Sequence, residues 1–117
     1  MNIIIKAAFK KELNIGKQYY AQKLYYKAFP FFERSHILGQ KYVVPHTISH
    51  LWMLKIGFKT KNIKEIIGQL IRIPMGIIGS LVGIVPIGNT GGSDISITKS
   101  PPIPKDLREI IESDNNL

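Results

Sequence analysis

The sequence contains no cysteine, which excludes disulfides, thiolate nucleophiles and every cysteine-ligated metal centre. Acidic residues are half as common as basic ones, eight against sixteen, for a formal net charge of +8. A dense basic run is also missing. Lys10, Lys11, Lys17, Lys23, Lys27, Arg34, Lys41, Lys55, Lys59, Lys61, Lys64 and Arg72 are scattered, without the interleaved glycine and stacking aromatics of RNA-binding modules. The charge therefore reads as solvated helix faces, and nucleic acid is not the expected partner. The amino-terminal stretch MNIIIKAAFKKEL has a short apolar part closely followed by lysines, so it lacks the order of a secretory signal. With the missing cysteines, this makes the cytoplasm the expected location.

A chain of 117 residues suffices for a single domain and can bury a continuous core. The expected fold class is all-α, an antiparallel helical bundle or stacked helical hairpins of about four main helices with a Gly/Pro-rich C-terminal extension. Its core spans about residues 3–84 and an irregular tail about 85–117. From Ile3 to about Leu24 apolar residues recur three or four apart, weakened by Asn14 and Gly16. A second helix runs from about Tyr26 to Leu38, with Pro30 early and Gly39 as its stop. Pro45 opens a third helix that reaches about Ile56 and closes at Gly57. Asn62 and Glu65 form a capping arrangement for a fourth, expected to end before Pro74.

Residues 73–93 carry no charge, but prolines and glycines interrupt them, which argues against an integral membrane span. The expectation is a short buried helix around Met75 to Val82, with Gly79 and Gly83 allowing close approach to another helix. A last short helix is expected over Lys105 to Glu112, while Ser113 to Leu117 should fray.

All three histidines fall within fifteen residues. Glu33 and His36 share one face of the second helix at i, i+3, and His46 and His50 share one face of the third at i, i+4. The turn between these helices is short, so antiparallel pairing brings His36, His46 and His50 together with Glu33 one turn deeper. Imidazole nitrogens and a carboxylate are the ligand types of zinc or non-haem iron. Glu12 on the first helix is a weaker candidate carboxylate, and Gln40 a weaker candidate still. The segment Gly88-Asn89-Thr90-Gly91-Gly92 lacks the lysine and the strand–loop–helix setting of a phosphate-binding loop. It reads as a tight turn or a loop packed over the helical site. Ser35 and Ser49 adjoin histidines in sequence, but neighbours on a helix point apart, so no serine triad is indicated.

These residues also carry a resemblance. The run Glu33-Arg34-Ser35-His36-Ile37-Leu38-Gly39-Gln40, then His46-x-x-x-His50 with Met53-Leu54, resembles the small bacterial proteins grouped as domain of unknown function 3703. So do Gly68-Gln69, Arg72, Gly79-Ser80, Gly83, Val85-Pro86, the Gly88 to Gly92 loop, and the tail motif Pro102-Ile103-Pro104-x-Asp106-Leu107. The resemblance covers nearly the whole chain. It places Glu33, His36, His46, His50 and the loop in recurring motifs and implies a bacterial source, but carries no activity with it. Pro30 and the lysines of the first helix depart from the Ala- and Arg-rich helices expected there and touch no candidate ligand.

The leading expectation is one divalent transition metal, zinc or iron, bound by His36, His46 and His50, with Glu33 as fourth ligand or orienter. The main rival is a helical protein–protein interaction module whose histidines only pack. A third reading is peripheral membrane binding by the basic surface and the Gly-rich apolar run. An unidentified protein partner and self-association both stay open. The first two differ in one geometric feature: a metal site needs the imidazole nitrogens to converge on a common point.

Overall fold

Helix α1 (Ile3–Ala21) starts at Asn2, whose side-chain oxygen accepts the Ile5 N–H at 2.8 Å and satisfies one of the free donors of the first turn. The computed structural model describes residues 1–113, and among them every regular element is a helix. The others are α2 (Tyr25–Gly39), α3 (Val43–Lys59), α4 (Ile63–Val82) and α5 (Lys105–Glu112). The fraying expected at the C-terminal end concerns residues 114–117, outside those described; Ser113 caps α5.

Each helix packs on the one before it, α2 on α1, α3 on α2 and α4 on α3, while α5 folds back onto α1 and α2. The core lies at the α1–α2–α3 junction, where Phe9, Leu13, Ala28, Phe32, Ile37, Leu38, Met53 and Ile56 are joined by Leu107 of α5. Gly16 breaks the helical propensity of α1 for a packing reason: a Cβ there would sit 2.7 Å from the Phe32 ring. Arg34 of α2 ties three helices together through carboxylates, reaching Glu12 of α1 at 3.0 Å and Asp106 of α5. At the α2–α3 crossing the hydroxyls of Ser35 and Ser49 lie 2.9 Å apart, both residues fully buried. Small residues there let the two backbones approach closely, which sets His36 beside His50.

Four expectations are corrected. Gly57 does not end α3, which continues to Lys59; Gly57 instead lies against Ile66 and Glu65 of α4. Pro74 does not end α4. The helix runs through it, because the next turns carry Gly76 and Ser80, which pack on His46. The stretch Met75 to Val82 is therefore the second half of α4 rather than a separate buried helix. Its outer side is exposed, Ile78 at 61% and Leu81 at 69%. Gly79 and Gly83 serve no second helix either: Gly79 faces the Ile84 carbonyl, and Gly83 is the left-handed C-cap with φ 75°.

Residues 84–104 run irregularly back across the ends of α2 and α4. Gln40 anchors them, donating from its amide nitrogen to the Pro86 carbonyl at 3.0 Å and accepting the Gly88 N–H at 3.0 Å. Asn89 anchors them further on, donating to the carbonyls of Ser96 and Lys99 and accepting the Gly91 N–H. Two buried amide side chains thus take the place of regular structure in fixing this segment.

Candidate metal centre

Two elements bring the histidines together: α2 supplies His36, and α3 supplies His46 and His50 one turn apart. All three are buried, at 2%, 4% and 3% exposure. The Nε2 atoms of His36 and His50 are 3.1 Å apart, as are those of His50 and His46. One ligand atom from each ring falls within 4.8 Å of the others. Legs of about 2.0–2.1 Å at tetrahedral angles around a zinc ion would put neighbouring nitrogens about 3.3 Å apart. Two edges of the triangle match that spacing closely.

The opposite side of each ring decides its tautomer. His36 Nδ1 lies 2.8 Å from the backbone oxygen of Asn89, which can only accept. His50 Nδ1 lies 2.6 Å from Gln69 Oε1. That amide is oriented unambiguously, because its nitrogen donates to Glu65 at 2.7 Å and to the Gly91 carbonyl at 2.8 Å. His46 Nδ1 lies 2.7 Å from the Ser80 hydroxyl, whose one proton goes to the Gln40 carbonyl at 2.8 Å. Each Nδ1 therefore carries its proton, and each neutral ring presents a bare Nε2 lone pair to the same point.

No proton is at hand to separate these lone pairs. Burial, reinforced by the neighbouring His50 and His46, holds the His36 pKa well below its ordinary value. Burial also pulls His46 down to about 4 and, with His46 beside it, His50 down to about 3. Near neutral pH all three rings are uncharged, and three acceptors face one another without a donor. Buried acceptors in that arrangement are costly unless a cation stands between them. The fixed Nδ1–H bonds are of the type that orients metal-binding imidazoles.

The loop closes over this site. Gly91, at φ 83°, lies so close to His36 that a Cβ would meet its ring at 2.6 Å. Gly76 of α4 covers His46 in the same way, with a Cβ reaching 2.9 Å from Cε1. Beyond the Nε2 atoms opens a cavity of about 370 Å³ whose other walls come from α4 and residues 84–98, among them Arg72, Met75, Val85 and Ile97.

Residues 4–111 match a family model described as protein of unknown function (DUF3703). The chain belongs to this family. No curated protein and no solved structure is similar enough to match it. The resemblance drawn from the sequence is therefore shown, and the histidine cluster lies inside the matched span.

The remaining candidates lie elsewhere. Glu33 is not in the ligand group among the described residues. It hydrogen-bonds Thr90 and faces Asp94, and burial and the Asp94 charge raise its pKa to about 7. Glu12 is buried against Arg34 of α2 and is likewise outside the group. Gln40 holds the loop rather than the site, though its backbone oxygen accepts from Ser80. In the loop, Asn89 supplies the acceptor for His36, Gly91 the close approach, and Thr90 the contact to Glu33. Gly88 is held by Gln40, while Gly92 lies between Asp94 and Phe29. Sequence reasoning did not assign a role to Gln69, Ser80 or Asn89 as partners of the rings. The only signal was their polar character beside glycines, at Gly68-Gln69, Gly79-Ser80 and Gly88-Asn89.

Proposed function

We propose that this domain binds one divalent transition metal, zinc or iron, through Nε2 of His36, His46 and His50, with one coordination position open to the cavity. The observation that carries this reading is the convergence of three unprotonated Nε2 lone pairs, each fixed by an Nδ1–H bond to Asn89, Ser80 or Gln69. Three nitrogens and an open position make the ligand count of catalytic rather than structural zinc sites. A metal so held would polarise a bound water or substrate oxygen. A purely structural role predicts rings hydrogen-bonded to separate groups, and the rings do bond Asn89, Ser80 and Gln69, with His46 also bonded to the Gly76 backbone. What favours a metal is the convergence of the three Nε2 atoms, which that role does not require.

Calorimetric titration of metal-free protein with zinc and with ferrous iron tests the reading. One ion per chain is expected, with His36→Ala, His46→Ala and His50→Ala each weakening binding by more than the roughly 10–100-fold typical of losing an outer partner. Variants that bind as tightly as the parent would overturn it.

The peripheral-membrane reading is supported by a different observation. Helix α4 is long and apolar enough to cross a membrane, and only 11% of its most apolar window is buried. At its start Lys59, Lys61 and Lys64 are exposed beside exposed Phe58, Ile63 and Ile67. A basic rim next to an apolar face suits an anionic lipid surface. Sedimentation with phosphatidylglycerol vesicles at low and high salt tests it: salt-sensitive binding is expected, and no binding at low salt would end this reading.

A further inference from the structure

The cavity beside the three imidazoles has walls of two kinds. Met75, Ile84, Val85, Pro86 and Ile97 give it an apolar lining, and Arg72 is the one cation among its lining residues. Its volume, about 370 Å³, falls in the range of small-ligand sites, about 300–1,000 Å³. Met75 and Ile84 are 52% and 76% exposed, so the mouth is apolar as well.

Arg72 is the unusual member. Among the described residues no carboxylate forms an ion pair with it; both ion pairs found there belong to Arg34. Glu65, the nearest acid in sequence, is instead engaged by Gln69 and by the Ser93 backbone and hydroxyl. One Arg72 nitrogen donates to the Ile95 carbonyl at 2.8 Å, which fixes the guanidinium, and its buried Nε has no partner. A guanidinium has five N–H donors in a planar fork suited to carboxylate, and among the described residues its Nε donor is unused. With three neutral imidazoles as ligands and no carboxylate among the residues lining the cavity, a bound dication would add charge that nothing in the cavity wall offsets. An anion is the missing component.

We propose that the cavity binds a small carboxylate with an apolar body, its charged end between Arg72 and the three-histidine centre and its hydrocarbon against Met75, Val85 and Ile97. This deepens the metal reading and rests on it for the position of the carboxylate. The apolar walls select against inorganic anions, and Arg72 selects against neutral molecules of the same shape. A phosphate ion has no group to fill the apolar part, and an alcohol has no charge for the fork.

Octanoate, octan-1-ol, acetate and inorganic phosphate are the probes, titrated calorimetrically into zinc-loaded protein whose metal content has been measured. Octanoate is expected to bind at least tenfold tighter than each of the other three. Arg72→Gln should weaken octanoate at least tenfold while leaving octan-1-ol binding and metal content unchanged. Arg72→Lys, which keeps the charge without the fork, should fall between, and circular dichroism of each variant separates lost binding from lost folding. Octanoate binding no tighter than octan-1-ol, or unaffected by Arg72→Gln in a folded variant, overturns the proposal. The metal reading fails on a separate readout, the metal content. In a chain that takes up no metal, the same octanoate titration with and without Arg72→Gln still decides whether this is a carboxylate site.

Discussion

Gln69 accepts the Nδ1 proton of His50 at 2.6 Å, and its own nitrogen is held by Glu65 and Gly91 so that the amide cannot turn over. One side chain thereby fixes a ring tautomer, a helix α4 carboxylate and the loop that covers the site. Replacing it with leucine keeps the bulk and removes all three bonds. Zinc affinity of Gln69→Leu is expected to fall about 10–100-fold, the usual cost of losing an outer partner of a metal-binding histidine. Competition with a chromophoric chelator measures it; unchanged affinity would show that the His50 tautomer needs no fixing.

Gly91 takes φ 83° and passes against the His36 ring. Alanine there meets both a strained backbone and the ring itself. Gly91→Ala should lower the melting temperature of the metal-free chain and weaken metal binding together, because the ring must move to admit the methyl group. Gly83→Ala is the control, since that residue also has positive φ but open space around it. It should lower stability by about 1 kcal/mol through backbone strain alone and leave metal affinity alone.

The depressed histidine pKa values predict how protons move on binding. At pH 7 the rings have none to lose, since His46 titrates near 4 and His50 near 3, with His36 also held low. Zinc binding at pH 7 should therefore release almost no protons, measured by calorimetry in buffers of different ionisation heat. Ordinary histidines would release a fraction of a proton each. The same shifts carry a stability cost in acid. Below about pH 6.5 the unfolded chain gains protons that the folded chain refuses, so the metal-free protein loses stability from these groups as pH falls toward 4.

Glu33 works in the opposite direction. Folding raises its pKa from 4.5 to about 7, chiefly by burial and next by the Asp94 charge, against the opposing Thr90 hydrogen bond. Between those values the folded chain holds a proton that the unfolded chain has lost. Its contribution is thus full below pH 4.5 and is lost as pH rises through 7. Glutamine cannot ionise, so the stability of Glu33→Gln relative to the parent should improve between pH 5 and pH 8 and then level off. Urea unfolding of both metal-free proteins at the two pH values checks it, and a difference independent of pH would contradict it.

Much of this was legible in the residues. Helix geometry puts His46 and His50 on one face of α3, and the short turn before it, by forcing antiparallel pairing, brings His36 of α2 to them. Asn62 was read as the cap of α4, and its side chain accepts the Glu65 N–H at 3.1 Å. The ring partners were not legible, since Asn89 contributes a backbone carbonyl, which has no sequence signature, and lies 53 residues from His36. Ser80 was hidden by the reading of Pro74 as a helix end, where tertiary packing of Gly76 and Ser80 on His46 outweighs the proline. The exposed side of α4 is not legible for a related reason: apolar composition alone does not tell a buried face from an uncovered one, and no other helix among the described residues covers this face.

Whether the three converging imidazoles hold a metal is decided by elemental analysis of untagged protein purified without chelator, beside a His36→Ala/His50→Ala double variant of confirmed helicity. About one zinc or iron per parent chain is expected, and next to none in the folded variant, as loss of two of three ligands requires. A parent that is metal-free and takes up neither added zinc nor added iron would contradict the metal reading.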